Sequence, residues 1–166
     1  MTVQIVYHEL EPIYDGNSKT LILGTMPSPK SRTFGFYYSH PQNRLWKVLS
    51  EVFQEPIPES GEGKELFLRS HNIAMWDVLK SCCIRGADDN TITNPEPNDI
   101  DLILSAAEIR AIFTTGRKAT ELYRKLCYPI TGRESIYLPS TSPANCRNYT
   151  YASLVEEYRV IKNYLV

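Results

Sequence analysis

Two stretches of this chain hold residues equipped to do chemistry, and each follows a short apolar segment. Residues 24–46 read GTMPSPKSRTFGFYYSHPQNRLW, and residues 138–151 read LPSTSPANCRNYTY. The first gathers Pro27, Pro29, Tyr37, Tyr38, His40, Pro41 and Asn43 into one connection; the second runs Pro139, Ser140, Thr141, Ser142, Pro143, Ala144, Asn145. Proline fixes its own backbone torsion and removes a donor, so both segments present stiff backbone beside hydroxyls, amides and aromatic faces. A connection that only joins two elements has no need of that equipment, and functional side chains are held disproportionately on such loops. We read the two segments as two walls of one site.

The elements that must position these walls are legible in the apolar pattern. Runs of strand length occur at residues 21–23, 73–76, 109–113 and 136–138, each ending in a polar, glycine or proline turn. Between and after them, apolar residues recur at helical spacing: Leu45, Val48, Leu49, Val52, Phe53; Ile100, Ile103, Leu104; Ala119, Leu122, Tyr123, Leu126; and Leu154, Val155, Tyr158, Ile161, Leu165. Asn43, Asn98 and the pair Tyr149-Thr150 mark helix starts. Strands alternating with helices predict a three-layer α/β/α sandwich with a central four-stranded parallel sheet, as one domain over residues 1–166. Ligands of such sheets bind beyond the carboxyl ends of the strands. Both walls lie there, as do Asp77, directly after Trp76, and Gly116, directly after Thr114-Thr115. Residues 56–63 (PIPESGEG) read as the most mobile loop.

Composition narrows the function. A net charge of −1 excludes a uniformly basic nucleic-acid coat, yet residues 27–47 carry Lys30, Arg32, Arg44 and Lys47 with no acid, which suits a phosphate backbone. Residues 87–101 carry Asp88, Asp89, Glu96, Asp99 and Asp101 with no base, and are expected to face away from a polyanion or to open a helix. The four cysteines have no CxxC spacing and the three histidines no HExxH, so neither metal nor cofactor is indicated. No apolar run reaches the roughly 20 residues of a membrane span. A cytoplasmic monomer with free thiols is expected.

Four segments together carry a resemblance: LILGTMP at residues 21–27, YYSHPQN at 37–43 with Trp46, WDVL at 76–79 and LPSTSPA at 138–144. They resemble the uracil-DNA glycosylase superfamily, within it the hypoxanthine-DNA (DNA-deoxyinosine) glycosylase branch, over most of the chain. The resemblance implies a four-stranded parallel sheet between helix layers, a DNA partner containing a deaminated base, and hydrolysis of that base's N-glycosidic bond without a cofactor. The expected base is hypoxanthine, with uracil or xanthine as alternatives. A non-catalytic DNA-damage or nucleotide-binding module on the same fold is the reading of another class, and a nucleoside hydrolase is a third.

The resemblance also assigns roles. Where many superfamily members keep a water-holding polar residue, just before the proline of the first loop, this chain has Met26, so the asparagine of HPQN, Asn43, is the expected water-positioning catalytic residue. Its oxygen would accept from the water while its nitrogen donates elsewhere; capping the following helix is the alternative. Thr25, Met26, Pro27, Tyr37, Tyr38 and Asp77 would hold the base, with Phe36 a further stacking face; Asp77 would either accept from a ring N–H or only fix its own turn. His40, Ser140, Thr141, Ser142, Pro143, Asn145 and Arg147 would meet DNA. Arg85 and Asp89 are expected to pair across a loop, and Trp46 and Trp76 to lie in the core.

Overall fold

The computed structural model describes residues 2–166 and builds the expected parallel sheet from β2 (Thr20–Gly24), β3 (Ile73–Asp77), β6 (Ala111–Thr115) and β7 (Ile136–Leu138), in the order β3-β2-β6-β7. Every residue of β2, β3 and β6 is buried. Strands covered on both faces must be apolar throughout instead of alternating, and LIL, IAMW and AIF are. The register is flush at the carboxyl ends: Gly24 lies opposite Asp77, Leu23 opposite Thr114, and Thr115 opposite Leu138. That alignment brings the ends of all four strands to one rim.

Helices flank the sheet: α1 (Pro29–Phe34), α2 (Leu45–Phe53), α3 (Gly61–Ser70), α4 (Asp101–Ala106), α5 (Arg117–Leu122), α6 (Tyr128–Thr131) and α7 (Tyr151–Tyr158). In α2 the buried side chains are Leu45, Trp46, Val48, Leu49 and Val52, the stripe expected of a helix resting on a core. Thr150 caps α7 by accepting from Ser153 N–H, and a 3-10 turn at Arg159–Tyr164 continues the same apolar face through Ile161. Trp46 and Trp76 are each 8% exposed and belong to the core.

Three expectations are corrected. Residues 56–63 are not one loop, because Ser60 accepts from Gly63 N–H and starts α3 at Gly61. Asn98 caps nothing: its amide nitrogen donates to the carbonyls of Asp77 and Leu79 at 2.9 and 3.0 Å, holding the turn where β3 passes into β4 (Leu79–Arg85), and α4 begins after Ile100 with no side-chain cap. The acidic stretch opens a helix only at its end, where Asp101 begins α4, and the rest of it is not a loop paired to Arg85. It forms β5 (Asp88–Pro97), which with β4 (Leu79–Arg85) and β1 (Val3–Tyr7) makes an antiparallel sheet ordered β1-β4-β5. No ion pair joins Arg85 to Asp89 among the described residues. Only Val6 of β1 is buried, and β5 is polar with two prolines, so neither carries the apolar pattern by which a strand is read.

Candidate active site

The chemistry-bearing residues converge because β2 and β3 end in register. At that rim opens a cavity of about 310 Å³, near the lower end of the range for small-ligand sites. Gly24 is required there. A Cβ on it would stand 2.6 Å from Asp77 Oδ1 and 2.9 Å from the Tyr38 hydroxyl, so only a glycine lets these two polar groups reach the end of the strand.

Asp77, 4% exposed, lines this cavity as the last residue of β3. Its Oδ2 lies 2.8 Å from His8 Nε2, and the side chains of His8 and Asp77 are 2% and 5% exposed. His8 follows β1, where its backbone N–H donates to the Lys80 carbonyl at 2.7 Å, so the antiparallel sheet carries it beneath the rim. Tyr38 stands beside them with a left-handed φ of 53°, a conformation that costs a non-glycine residue about 1–3 kcal/mol and persists only where surrounding contacts enforce it. Its hydroxyl is 3.2 Å from Thr115 Oγ1. Burial first, then the charge of Asp77, holds the phenol well above its ordinary range, with the Thr115 bond partly opposing, so Tyr38 stays a neutral hydroxyl.

Tyr37 also lines the cavity, but it is 3% exposed and its hydroxyl donates to the Glu11 carbonyl at 2.8 Å. Burial, and after it the Asp77 charge, raises this phenol strongly. Phe36 does not line the cavity. It packs on Trp46 with ring centroids 5.9 Å apart, in a groove on the far side of Tyr38, His40 and Asn43.

Asn43 faces the cavity from the residues leading into α2. Its Oδ1 accepts twice, from Leu45 N–H at 2.9 Å and from the Thr141 hydroxyl at 2.9 Å. The Leu45 bond requires an acceptor, which fixes the orientation of the amide. Both lone pairs of Oδ1 are engaged and the nitrogen is the group left over, the reverse of the arrangement anticipated from the sequence. These bonds also join the two walls. Arg44 N–H donates to the Thr141 carbonyl at 3.2 Å, and Arg44 Nη1 donates to the Tyr149 carbonyl at 2.7 Å. The second wall is tied down from below by Tyr158, whose hydroxyl donates to the Pro139 carbonyl at 2.6 Å.

Of the remaining anticipated residues, Thr25, Met26, Pro27, His40, Ser140, Thr141, Ser142 and Pro143 line the cavity. His40 Nδ1 accepts from Gln42 N–H at 3.1 Å, which leaves Nε2 as the proton-bearing nitrogen of the neutral ring. Asn145 and Arg147 are not in the lining. Asn145 Nδ2 donates to the Ser140 carbonyl at 3.0 Å and braces the wall, while Arg147 is exposed on the outer turn.

Two participants escape the sequence reading. Asp89, from the β4–β5 hairpin, lines the cavity with Gly86 and Ala87. Burial raises its carboxyl, a hydrogen bond to Thr25 opposes this, and the Asp77 charge adds to the rise. His8 supports Asp77 from behind. Neither lies near a motif, and both arrive on the antiparallel sheet that the hydrophobic pattern conceals. No lysine or arginine lines the cavity, and among the described residues no group of three or more His, Cys, Asp or Glu is arranged to hold a metal ion.

Comparison with known proteins agrees with this architecture. A hypoxanthine DNA glycosylase of Methanosarcina acetivorans is 36% identical over 137 residues, 81% of this chain and 85% of that protein. Another protein of that name from Methanosarcina barkeri is 30% identical over 139 residues, 82% of this chain and 87% of that protein. The solution NMR structure of a proposed uracil DNA glycosylase from Methanosarcina acetivorans superposes with a TM-score of 0.79 at 29% identity, covering 96% of this chain and 99% of that one. The sequence model of the uracil DNA glycosylase superfamily matches residues 11–165, and the chain belongs to that superfamily.

Proposed function

We propose that this protein is a DNA glycosylase that hydrolyses the N-glycosidic bond of a flipped, deaminated base, with hypoxanthine the principal substrate. The observation that carries the reading is the convergence of Asn43, Asp77 and the Tyr38 hydroxyl on one cavity at the carboxyl rim of the parallel sheet. Two relatives that align with over 80% of the chain, at 36% and 30% identity, carry the name hypoxanthine DNA glycosylase.

The glycosidic carbon is unreachable inside a stacked duplex, so the nucleotide must leave the stack at a cost of a few kcal/mol. Asp77 Oδ1 accepts the N1–H of hypoxanthine. Adenine offers a lone pair at N1 and is repelled, so a carboxylate distinguishes the deaminated base from its parent. Uracil presents the same feature, an N3–H where cytosine has a lone pair, and this favours uracil as a second substrate. Tyr37 and Tyr38 border the base, and the hydroxyls of Ser140 and Ser142 meet flanking phosphates; with no Lys or Arg in the lining, hydroxyl and backbone N–H groups carry that contact.

As the bond breaks, positive charge develops on the sugar and negative charge on the base. A positioned water is then a sufficient nucleophile. Asn43, its oxygen already engaged, donates from Nδ2 to that water and leaves a water lone pair free for the sugar carbon. Oxygen adds to the sugar, and a proton from the water ends on the departing base, so hypoxanthine and an abasic site are the products. His40 Nε2–H is placed to donate to the base or to a phosphate. The absence of a lysine in the lining supports hydrolysis without strand cleavage through a Schiff base. We place the reaction in base excision repair, carried out by a monomer in the cytoplasm.

The test is release of base from labelled oligonucleotides carrying deoxyinosine, deoxyuridine or deoxyxanthosine, with alkali to cleave abasic sites and borohydride to trap any covalent adduct. Alkali-dependent cleavage strongest for deoxyinosine is expected. DNA binding with no release from any substrate would leave a damage-binding module in its place.

A further inference from the structure

Behind the wall that reads the base lies a contact made by His8, which stands outside residues 11–165, the span matched by the superfamily model: the 2.8 Å bond between His8 Nε2 and Asp77 Oδ2. Both side chains are almost wholly withdrawn from solvent, at 2% and 5% exposure. A carboxylate buried there needs donors, because burying an unpaired charge is costly. Among the described residues His8 is the one side chain that bonds it, and Oδ1 is left without a protein donor. The free oxygen is the one against Gly24, at the rim of the cavity, and the Tyr38 hydroxyl approaches the same glycine. His8 is held in turn. Its backbone is paired to Lys80, and its ring lies between Tyr37, centroids 6.0 Å apart, and Trp76, 6.3 Å apart and edge-on.

We propose that His8 is a positioning residue of this site: by donating Nε2–H to Asp77 Oδ2 it fixes the carboxylate with Oδ1 toward the base, as a pure acceptor that selects bases bearing a ring N–H. This rests on the function proposed above and adds the device that sets its selectivity. Without His8, Asp77 can rotate away from the cavity, and its oxygen no longer meets the ring N–H that sets hypoxanthine and uracil apart from adenine and cytosine. The chemical class selected is a purine or pyrimidine with an N–H beside a carbonyl.

The experiment compares single-turnover release from deoxyinosine with release from deoxynebularine, whose purine has neither the N1–H nor the neighbouring carbonyl. Comparing each variant with the unaltered enzyme cancels the intrinsic difference between the two leaving groups. His8→Phe is expected to lower the deoxyinosine rate roughly tenfold, the scale of one lost hydrogen bond to a charged group, and the deoxynebularine rate far less. His8→Gln, which keeps a donor, should recover most of the ratio. An unchanged ratio in folded His8→Phe overturns the inference while leaving the glycosylase reading intact. Absence of release by the unaltered protein overturns that reading and this inference with it. Should the variants fail to fold, ¹⁵N NMR of the unaltered protein decides: a proton on His8 Nε2 protected from exchange supports the assignment, and a bare Nε2 overturns it.

Discussion

Replacing Gly24 with alanine adds one methyl group at the most crowded point of the site. The new Cβ would stand 2.6 Å from Asp77 Oδ1 and 2.9 Å from the Tyr38 hydroxyl, both inside any tolerable contact. Neither neighbour has an easy escape. Asp77 is bonded through Oδ2 to His8 at 2.8 Å, and the Tyr38 hydroxyl lies 3.2 Å from Thr115 on a backbone already left-handed. Overpacking of this kind costs about 1–3 kcal/mol of stability, a fall of roughly 2–12 °C in melting temperature for a chain near this size. The effect on catalysis should be larger than stability alone would suggest, because the displaced oxygen is the one proposed to meet the base. Loss of one hydrogen bond to a charged acceptor is worth about 1.5–3 kcal/mol, or roughly 10- to 150-fold in rate. Single-turnover release from deoxyinosine DNA at saturating enzyme, beside thermal melting, measures both. A Gly24→Ala protein that melts and cleaves like the unaltered one would refute the claim that Asp77 and Tyr38 are pinned against the end of β2.

Two further outcomes follow from the same geometry. Thr141→Val removes the hydroxyl that donates to Asn43 Oδ1 at 2.9 Å and keeps the Leu45 bond; a fall in rate of about three- to tenfold is expected, whereas a faster variant in the same cleavage assay would mean that the hydroxyl competes with the reacting water for that oxygen. Burial pushes the Cys127 thiol up to about 12, and burial followed by the Asp89 charge pushes Cys82 up to about 11, while Cys146 is exposed. A folded pKa above the unfolded value favours the neutral thiol, so this stabilisation is complete below about pH 8.5 and drains away as pH rises through the folded values. Iodoacetamide at pH 8 should therefore label Cys146 well before Cys82 or Cys127; equal labelling in folded protein would contradict their burial.

The parallel sheet was legible because β2, β3 and β6 are buried on both faces, which forces apolar runs that no polar residue interrupts. The main walls of the site were legible for a different reason: Tyr38, Asn43 and Thr141 sit in proline-flanked loops rich in hydroxyls and amides, equipment that a plain connection does not need. The antiparallel sheet was not. In β1 a single residue is buried, and β5 is a polar strand whose pairing with β4 shifts register between Leu79/Ser81, Ser81/Cys83 and Cys83/Arg85, so no period-two pattern survives to be read. His8 and Asp89 were lost with that sheet. A histidine after an exposed strand carries no local sign of the aspartate 69 positions away that it bonds. Asn43 shows a different limit. Its residue type and neighbourhood marked it as a site residue, but which atom of its amide remains free depends on Thr141, 98 positions distant, and only the fold supplies that contact.

The central claim is that Asn43 positions the water for hydrolysis of a deaminated base. It is tested most directly by single-turnover cleavage of a labelled deoxyinosine oligonucleotide by Asn43→Ala, with DNA binding measured in parallel. Loss of about 2.7 kcal/mol of transition-state stabilisation, a rate lower by about 100-fold, with binding retained is the predicted result. An Asn43→Ala protein that folds, binds and releases hypoxanthine at the unaltered rate would contradict it.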